Sequence, residues 1–248
     1  MFDAVVPRHD PPRLMVVVAH PDDETFGCGS LLLAAAAAGW RTTVVCATRG
    51  EAGEATADTD LSEATLGDVR EAELRRAAEA MGVAEVVLLG FGDSGMEGDP
   101  PAGSLVAADE QAVVEAVARA VDTEEPDVIV TLDGSDGHRD HVRVRDAAVH
   151  VATTHQVPGY LHGIPRSLMS RWVEHMVSLR PDMAHLRLAD LGTPDDDIDL
   201  VVDTSSHLAA RERAMAEHRS QTSPFEGLPE DLRRAFLTRE HLQVATLS

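Results

Sequence analysis

The sequence is poor in aromatic residues, cysteine and positive charge, and it has no long apolar run. Aromatics make up 3% of the 248 residues, so a core drawn from the 44% that is hydrophobic has to be aliphatic. Two cysteines, Cys28 and Cys46, cannot supply a disulfide framework, which fits a reducing compartment. Lys and Arg number 21 against 43 Asp and Glu, a formal charge of -22. A field of that sign repels phosphate backbones, and no basic run offers a local exception, so nucleic acid is excluded as a partner. The apolar segments are short and broken by charges, which excludes membrane insertion. The opening MFDAVVPRHDPPR has no uninterrupted apolar stretch after a basic start, so no signal peptide is read and a cytoplasmic location is expected.

What is present is a regular alternation. Arg13 to Ala19 is a continuous apolar run, the mark of a strand buried on both faces. Glu24 to Ala38 reads as a helix ended by Gly39, and Thr42 to Thr48 as a second buried strand. Helices follow over Asp68 to Met81, Asp109 to Val121 and Val142 to Thr154, with strands at Glu85 to Leu89 and Asp127 to Leu132 between them. Further on, Ile198 to Val202 reads as a strand, and Ser206 to Arg219 and Pro229 to Leu242 as helices; Tyr160 to Thr193 has no clear pattern. The alternation predicts an α/β fold, a doubly wound, Rossmann-like, mostly parallel sheet with helices on both faces. The length suits one domain over 1–248, with a core at about 13–156 and a segment at 157–248 that completes the sheet and pocket. A homo-oligomer is compatible with it.

In such sheets ligands bind beyond the carboxyl ends of the strands. There the chain places His20-Pro21-Asp22-Asp23-Glu24 after the first strand, and Asp133 to His141, rich in His and Asp, after the fourth. Imidazole and carboxylate together suit Zn²⁺, and a catalytic zinc takes three protein ligands and leaves one position for water. His20, Asp23 and His141 offer two nitrogens and one oxygen. Zinc in such a set lowers the pKa of its water to roughly 7. Fe²⁺ is the alternative divalent ion. Asp22 is placed to accept the water proton, His138 to donate to an oxyanion or a leaving nitrogen, and Asp140 to orient a histidine. A rival reading takes Gly27-Cys28-Gly29 as a dinucleotide loop in a non-catalytic nucleotide-binding module. Leu32 stands where that fingerprint needs a small residue, and three nearby carboxylates oppose a pyrophosphate. Close helix–sheet packing explains the glycines better.

The chain also resembles the LmbE-like deacetylases, the group of the N-acetylglucosaminyl-phosphatidylinositol (PIG-L) and mycothiol-pathway deacetylases. The resemblance rests on AHPDDETFGCG at 19–29, TRGEAG at 48–53, REAE at 70–73, FGDSGMEG at 91–98, HRDHVRV at 138–144 and AMAEHRSQ at 214–221. It implies a Rossmann-like fold, a divalent metal, usually zinc, on His20, Asp23 and His141, the base Asp22, and His138 beside the tetrahedral intermediate. It also implies sugar contacts from Arg70, Asp93 and Glu51, with Met96 lining the pocket. Two positions depart from the pattern. Arg139 replaces a proline between the paired histidines, and Asp136 stands where mycothiol-pathway enzymes carry a tyrosine that holds the oxyanion. The expected activity is hydrolysis of an N-acetyl group on an N-acetylglucosamine-type glycoside, a small-molecule amino-sugar substrate. The alternative within the class is amide cleavage of a thiol conjugate or a secondary-metabolite sugar.

Overall fold

A computed structural model describes residues 5–246, so the first four residues of the amino-terminal stretch read above lie outside the described residues. Strand β1 (Arg13–Val18) leads through a one-turn helix α1 (Asp23–Phe26) to α2 (Gly29–Ala37), β2 (Arg41–Cys46), α3 (Leu66–Met81) and β3 (Glu85–Leu88). Then come α4 (Glu110–Glu124), β4 (Val128–Leu132), α5 (Arg139–Thr154), β5 (Gly159–His162) and α6 (Arg166–Leu179). The chain closes with β6 (Leu200–Asp203), α7 (Leu208–Met215), α8 (Glu230–Leu237) and β7 (Arg239–Val244). The seven strands lie in the order β3-β2-β1-β4-β5-β7-β6. The first five run parallel, and β7 and β6 add an antiparallel edge. This is the doubly wound, mostly parallel sheet that the alternation predicts.

The continuous apolar run of β1 follows from its place at the centre. Leu14, Val16 and Val18 face one layer with Leu31, Leu32 and Leu74 of α2 and α3. Met15 and Val17 face the other layer, with Val113, Val117, Val144 and Val151 of α4 and α5. Because strand side chains alternate, a strand covered on both faces is apolar at every position. The order reverses between β1 and β4, and at such a switch point the loops after the two strands diverge and leave a crevice. Among the described residues no helix is long and apolar enough to cross a membrane.

Three expectations need correction. The single helix over Glu24 to Ala38 is two helices, broken at Gly27-Cys28. A Cβ on Gly27 would stand 2.6 Å from Leu132 Cδ2 and 2.8 Å from the Asp23 carbonyl, so α1 lies too close to β4 for any side chain there. The helix over Pro229 to Leu242 ends at Leu237 and gives way to β7, where Glu240 and Leu242 are buried and their neighbours are not. Glu240 is a charged residue at a core position, which hides the period of two from a hydrophobic pattern. The helix over Ser206 to Arg219 is reduced to α7, with one short 3₁₀ turn before it. The unclear segment from Tyr160 to Thr193 contains β5 and α6.

Candidate active site

The loop after β1 is held in a conformation the chain would not choose. Asp22 has φ 113, a region that residues with a Cβ rarely adopt. Its N–H donates to Glu24 Oε2 at 2.8 Å, and its carbonyl accepts from Thr25 and Phe26 to start α1. Arg70, buried on α3, donates to the Pro21 carbonyl at 2.6 Å and to the Gly50 carbonyl at 2.7 Å, and its Nη2 lies 3.1 Å from Asp22 Oδ2. Gly50 leaves room for this, because a Cβ there would lie 2.4 Å from the Arg70 guanidinium carbon. Glu24 is itself fully buried, and it accepts from Thr25 Oγ1 and pairs with His218 Nε2 at 2.7 Å.

On this frame Asp23 stands between two histidines, and His20 also groups with His138 and His141, and with Asp93 and Asp140, closely enough to share a metal ion. Asp23 Oδ2 lies 3.4 Å from His20 Nδ1 and 3.2 Å from His141 Nε2. The opposite nitrogen of each ring is occupied: His20 Nε2 donates to Asp140 Oδ2 at 3.1 Å, and His141 Nδ1 donates to Asp136 Oδ2 at 2.6 Å. Without a metal a second proton on each ring satisfies the inner nitrogens; once it leaves, they would present lone pairs beside the Asp23 carboxylate, a set that calls for a cation between them. His141 Nε2 is buried and has no hydrogen-bond partner among the described residues. Burial works to lower the His141 pKa, yet Asp23 and Asp136 overcome it and push it up to about 10. Burial likewise opposes the charge of His20, but its hydrogen bonds to Asp140, Asp23 and Asp93 raise its pKa. The pocket therefore attracts positive charge, and two nitrogens with one oxygen fit a divalent metal.

The remaining candidates sort by geometry. His138 caps α5, and its Nδ1 accepts from the Asp140 N–H at 3.2 Å, which leaves Nε2 as the donor of the neutral ring. Its ring lies 4.6 Å from that of His20 and 4.7 Å from that of His141. Burial, then repulsion from those two rings, lowers its pKa and keeps it neutral. Asp140 is fully buried, and Oδ2 also accepts from the Ser94 N–H at 3.0 Å. Asp93 lies 3.6 Å from His20 Nε2 and accepts from the Ala52 and Gly95 N–H groups. Arg70 turns away from Glu73, which takes Ser220 instead.

Two expected sugar contacts are not brought to the cluster. Met96 stands 62% exposed, and the exposed Glu51 accepts from the Arg49 N–H. Asp136 emerges as a positioning group, with Oδ2 on His141 and Oδ1 accepting from the His138 N–H at 3.0 Å. Its place in the loop five residues before His141 was the available signal. Arg139 donates to the carbonyls of Ser94, Gly95, Glu97 and Gly98, so it ties down the loop after β3 rather than charging the pocket.

A cavity of about 530 Å³ opens onto Asp22, Asp23, Asp136 and His141. A family model described as PIG-L: GlcNAc-PI de-N-acetylase matches residues 15–152, the stretch that carries every one of these candidate site residues. The chain belongs to the PIG-L family. Over 94% of its length it is 32% identical to the 1D-myo-inositol 2-acetamido-2-deoxy-alpha-D-glucopyranoside deacetylase of Geodermatophilus obscurus, covering 91% of that protein. Among solved structures, the A40926 pseudoaglycone deacetylase superposes with a TM-score of 0.66 at 17% identity, over 95% of this chain and 99% of that one. The 4-carboxy-2-hydroxymuconate hydratase of Pseudomonas putida gives a TM-score of 0.62 at 17% identity, over 96% and 97%. A hydratase on the same frame shows that the fold alone does not choose the PIG-L chemistry.

Proposed function

We propose that this PIG-L family member is a zinc-dependent hydrolase that removes the N-acetyl group from an N-acetylglucosamine-type glycoside. The observation that carries the reading is the placement of Asp23 Oδ2 between His20 Nδ1 at 3.4 Å and His141 Nε2 at 3.2 Å, with the outer nitrogen of each ring engaged by a second carboxylate. His20, Asp23 and His141 would hold the metal, which when bound activates a water and polarises the amide carbonyl. Asp140 and Asp136 fix the two imidazoles in the tautomers that keep a lone pair inward. Family membership and the acetamido-sugar relatives support the substrate class.

Asp22 takes the proton of the attacking water. Burial raises its carboxyl to about 7, with Arg70 opposing and Asp23 adding to the rise, so the group is poised near the working pH of a general base. His138 presents Nε2–H to the developing oxyanion or to the leaving nitrogen. Arg70 stands against Asp22 and Asp93 against His20, while Glu51 and Met96 stay exposed on their loops. We read 1–248 as one domain, whose segment beyond 156 supplies three strands of the sheet and part of the cavity wall. Cys28 and Cys46, both buried free thiols, suit a cytoplasmic location.

The test pairs metal content with product. Purified protein supplied with zinc binds about one ion per chain and releases acetate from N-acetylglucosamine glycosides, and His141→Ala loses both. A protein that takes up neither zinc nor iron would sink the hydrolase reading.

A further inference from the structure

The acetyl group is small, and the cavity beside the metal-ligand cluster is not. At about 530 Å³ it falls in the range that encloses ligands of drug size, about 300–1,000 Å³. Its walls are of two kinds. The loops after β1 and β4 contribute Asp22, Asp23, Asp136 and His141. The facing wall comes from the segment beyond β5: Ile164, Met169, Trp172, Met183, Leu186 and Leu191. Phe26, Phe225 and Phe236 close it.

Thr222 apart, this wall has little to offer a hydroxyl group. The Trp172 indole N–H donates to the Pro224 carbonyl at 3.1 Å, so its partner is already chosen. Arg211 is spent on Glu240 and on the carbonyls of Thr25, Phe26 and Gly27. His162 pairs with Glu240 at 2.6 Å, and Asp133 accepts from Ser135 and Thr193 on its two oxygens. A polyol placed against Trp172, Met183 and Leu186 would bury hydroxyls for which these three side chains offer no partner, at a cost for each one left unpaired.

We infer that the group attached to the amino sugar is apolar, an alkyl or aryl aglycone seated against Trp172, Met183 and Leu186, in contrast to the inositol of the relatives. The inference rests on the N-deacetylase reading. With acetyl as the acyl group and the amide at Asp22 and His141, the part of the substrate that remains to fill the far wall is the aglycone. Burying it on a preformed apolar surface adds affinity with each methylene, at most about fourfold.

The experiment uses the full chain loaded with zinc and the methyl, butyl, hexyl and myo-inosityl glycosides of N-acetylglucosamine, below their micelle concentrations. Binding by calorimetry and kcat/KM by acetate release are both followed. Affinity and kcat/KM are expected to rise at least tenfold from methyl to hexyl, mainly through KM, with the inosityl glycoside no better than methyl. Leu186→Asp, at a half-buried position outside the core, is expected to flatten the series. A flat series in the parent protein, or a preference for inosityl, overturns the inference. Acetate release from the methyl glycoside tests the deacetylase reading separately, and if no glycoside is hydrolysed the binding series still decides the question of the aglycone.

Discussion

His141 and Asp136 share a 2.6 Å hydrogen bond, Nδ1–H to Oδ2, from a loop where a carboxylate has no evident business beside two other carboxylates. The bond holds the ring with Nδ1 on Asp136 and Nε2 towards Asp23, so Nδ1 keeps its proton when Nε2 gives its own up to a metal. Asp136 ionises more readily than an ordinary aspartate: burial works against it, but the hydrogen bond and charge of His141 and the His138 N–H together outweigh it. Substituting Asp136→Asn keeps the shape while removing the charge that raises the basicity of the imidazole. Metal affinity is expected to fall about 10–100-fold, in line with other carboxylate–histidine–metal pairs. Competition with a chelator measures it, and an unchanged affinity would show that Asp136 is only a turn residue.

Asp22 sets the acid side of the pH profile. With a folded pKa of about 7, the carboxyl is protonated below neutrality and cannot accept a proton. Activity is therefore expected to rise as pH climbs towards 7, with the midpoint lower once a dication sits nearby. Asp22→Asn abolishes that limb and about 10²–10⁴-fold of kcat. The stability effect has the opposite sense. The folded pKa exceeds the unfolded value of about 3.9, so the native state binds more protons between the two, and stability falls as pH rises through that window. Asp22→Asn is thus expected to raise the unfolding midpoint at pH 8. A variant that is both inactive and less stable there would contradict the assignment.

The sequence displays the sheet and the two loops because both are written in patterns of residue type. The runs at β1, β2 and β4 are almost wholly buried and mostly aliphatic or β-branched, with His20 and Asp23 just past the first and His141 at the start of the helix after the last. What it conceals are the places where charge is buried. Glu240 at a core position of β7 looks like a helical surface residue, and Arg211, 1% exposed, looks like a solvated one. Each is buried because the other is there, and pairs separated by 29 residues leave no periodic trace. The role of Arg70 was hidden similarly. Its i,i+3 neighbour Glu73 suggests a helix-face pair, but its true partners are the Pro21 and Gly50 carbonyls and Asp22, from loops brought together only by the fold.

His218 and Glu24 form a second buried pair, 2.7 Å apart, and through Glu24 the pair holds the N–H of the strained Asp22. Burial opposes the charge on His218, but Glu24 raises its pKa. A raised histidine pKa stabilises the fold fully below the unfolded value and loses that contribution as pH rises through the folded one. His218→Ala leaves Glu24 buried without its cation, and a loss of about 3 kcal/mol is expected in urea unfolding at pH 6. His218→Gln, which can still donate, is expected to recover part of kcat as well as part of the stability. If kcat is unmoved in both variants, Glu24 does not transmit the position of His218 to Asp22.

Arg211 offers the hardest test, because two effects pull against each other. Its guanidinium joins Glu240 at 3.0 Å and also accepts the burden of four carbonyls, those of Thr25, Phe26 and Gly27 at the end of α1 and of Leu237 at the end of α8. Arg211→Met strands the Glu240 carboxylate with His162 as its remaining partner, and a loss of about 3–5 kcal/mol is expected. Replacing both residues, Arg211→Met with Glu240→Leu, removes the unpaired charge, and buried ion pairs exchanged for apolar residues are often neutral. In the double variant the Leu237 carbonyl keeps Ser30 Oγ, but those of Thr25, Phe26 and Gly27 still lose the guanidinium, at about 1–3 kcal/mol for each one left unsatisfied. Partial recovery is therefore expected: the double variant is more stable than Arg211→Met but short of the parent. Full recovery would mean that the ion pair is the whole role of Arg211. No recovery would mean that the carbonyl clamp on α1, and with it the placement of Asp22 and Asp23, is what the buried arginine is for.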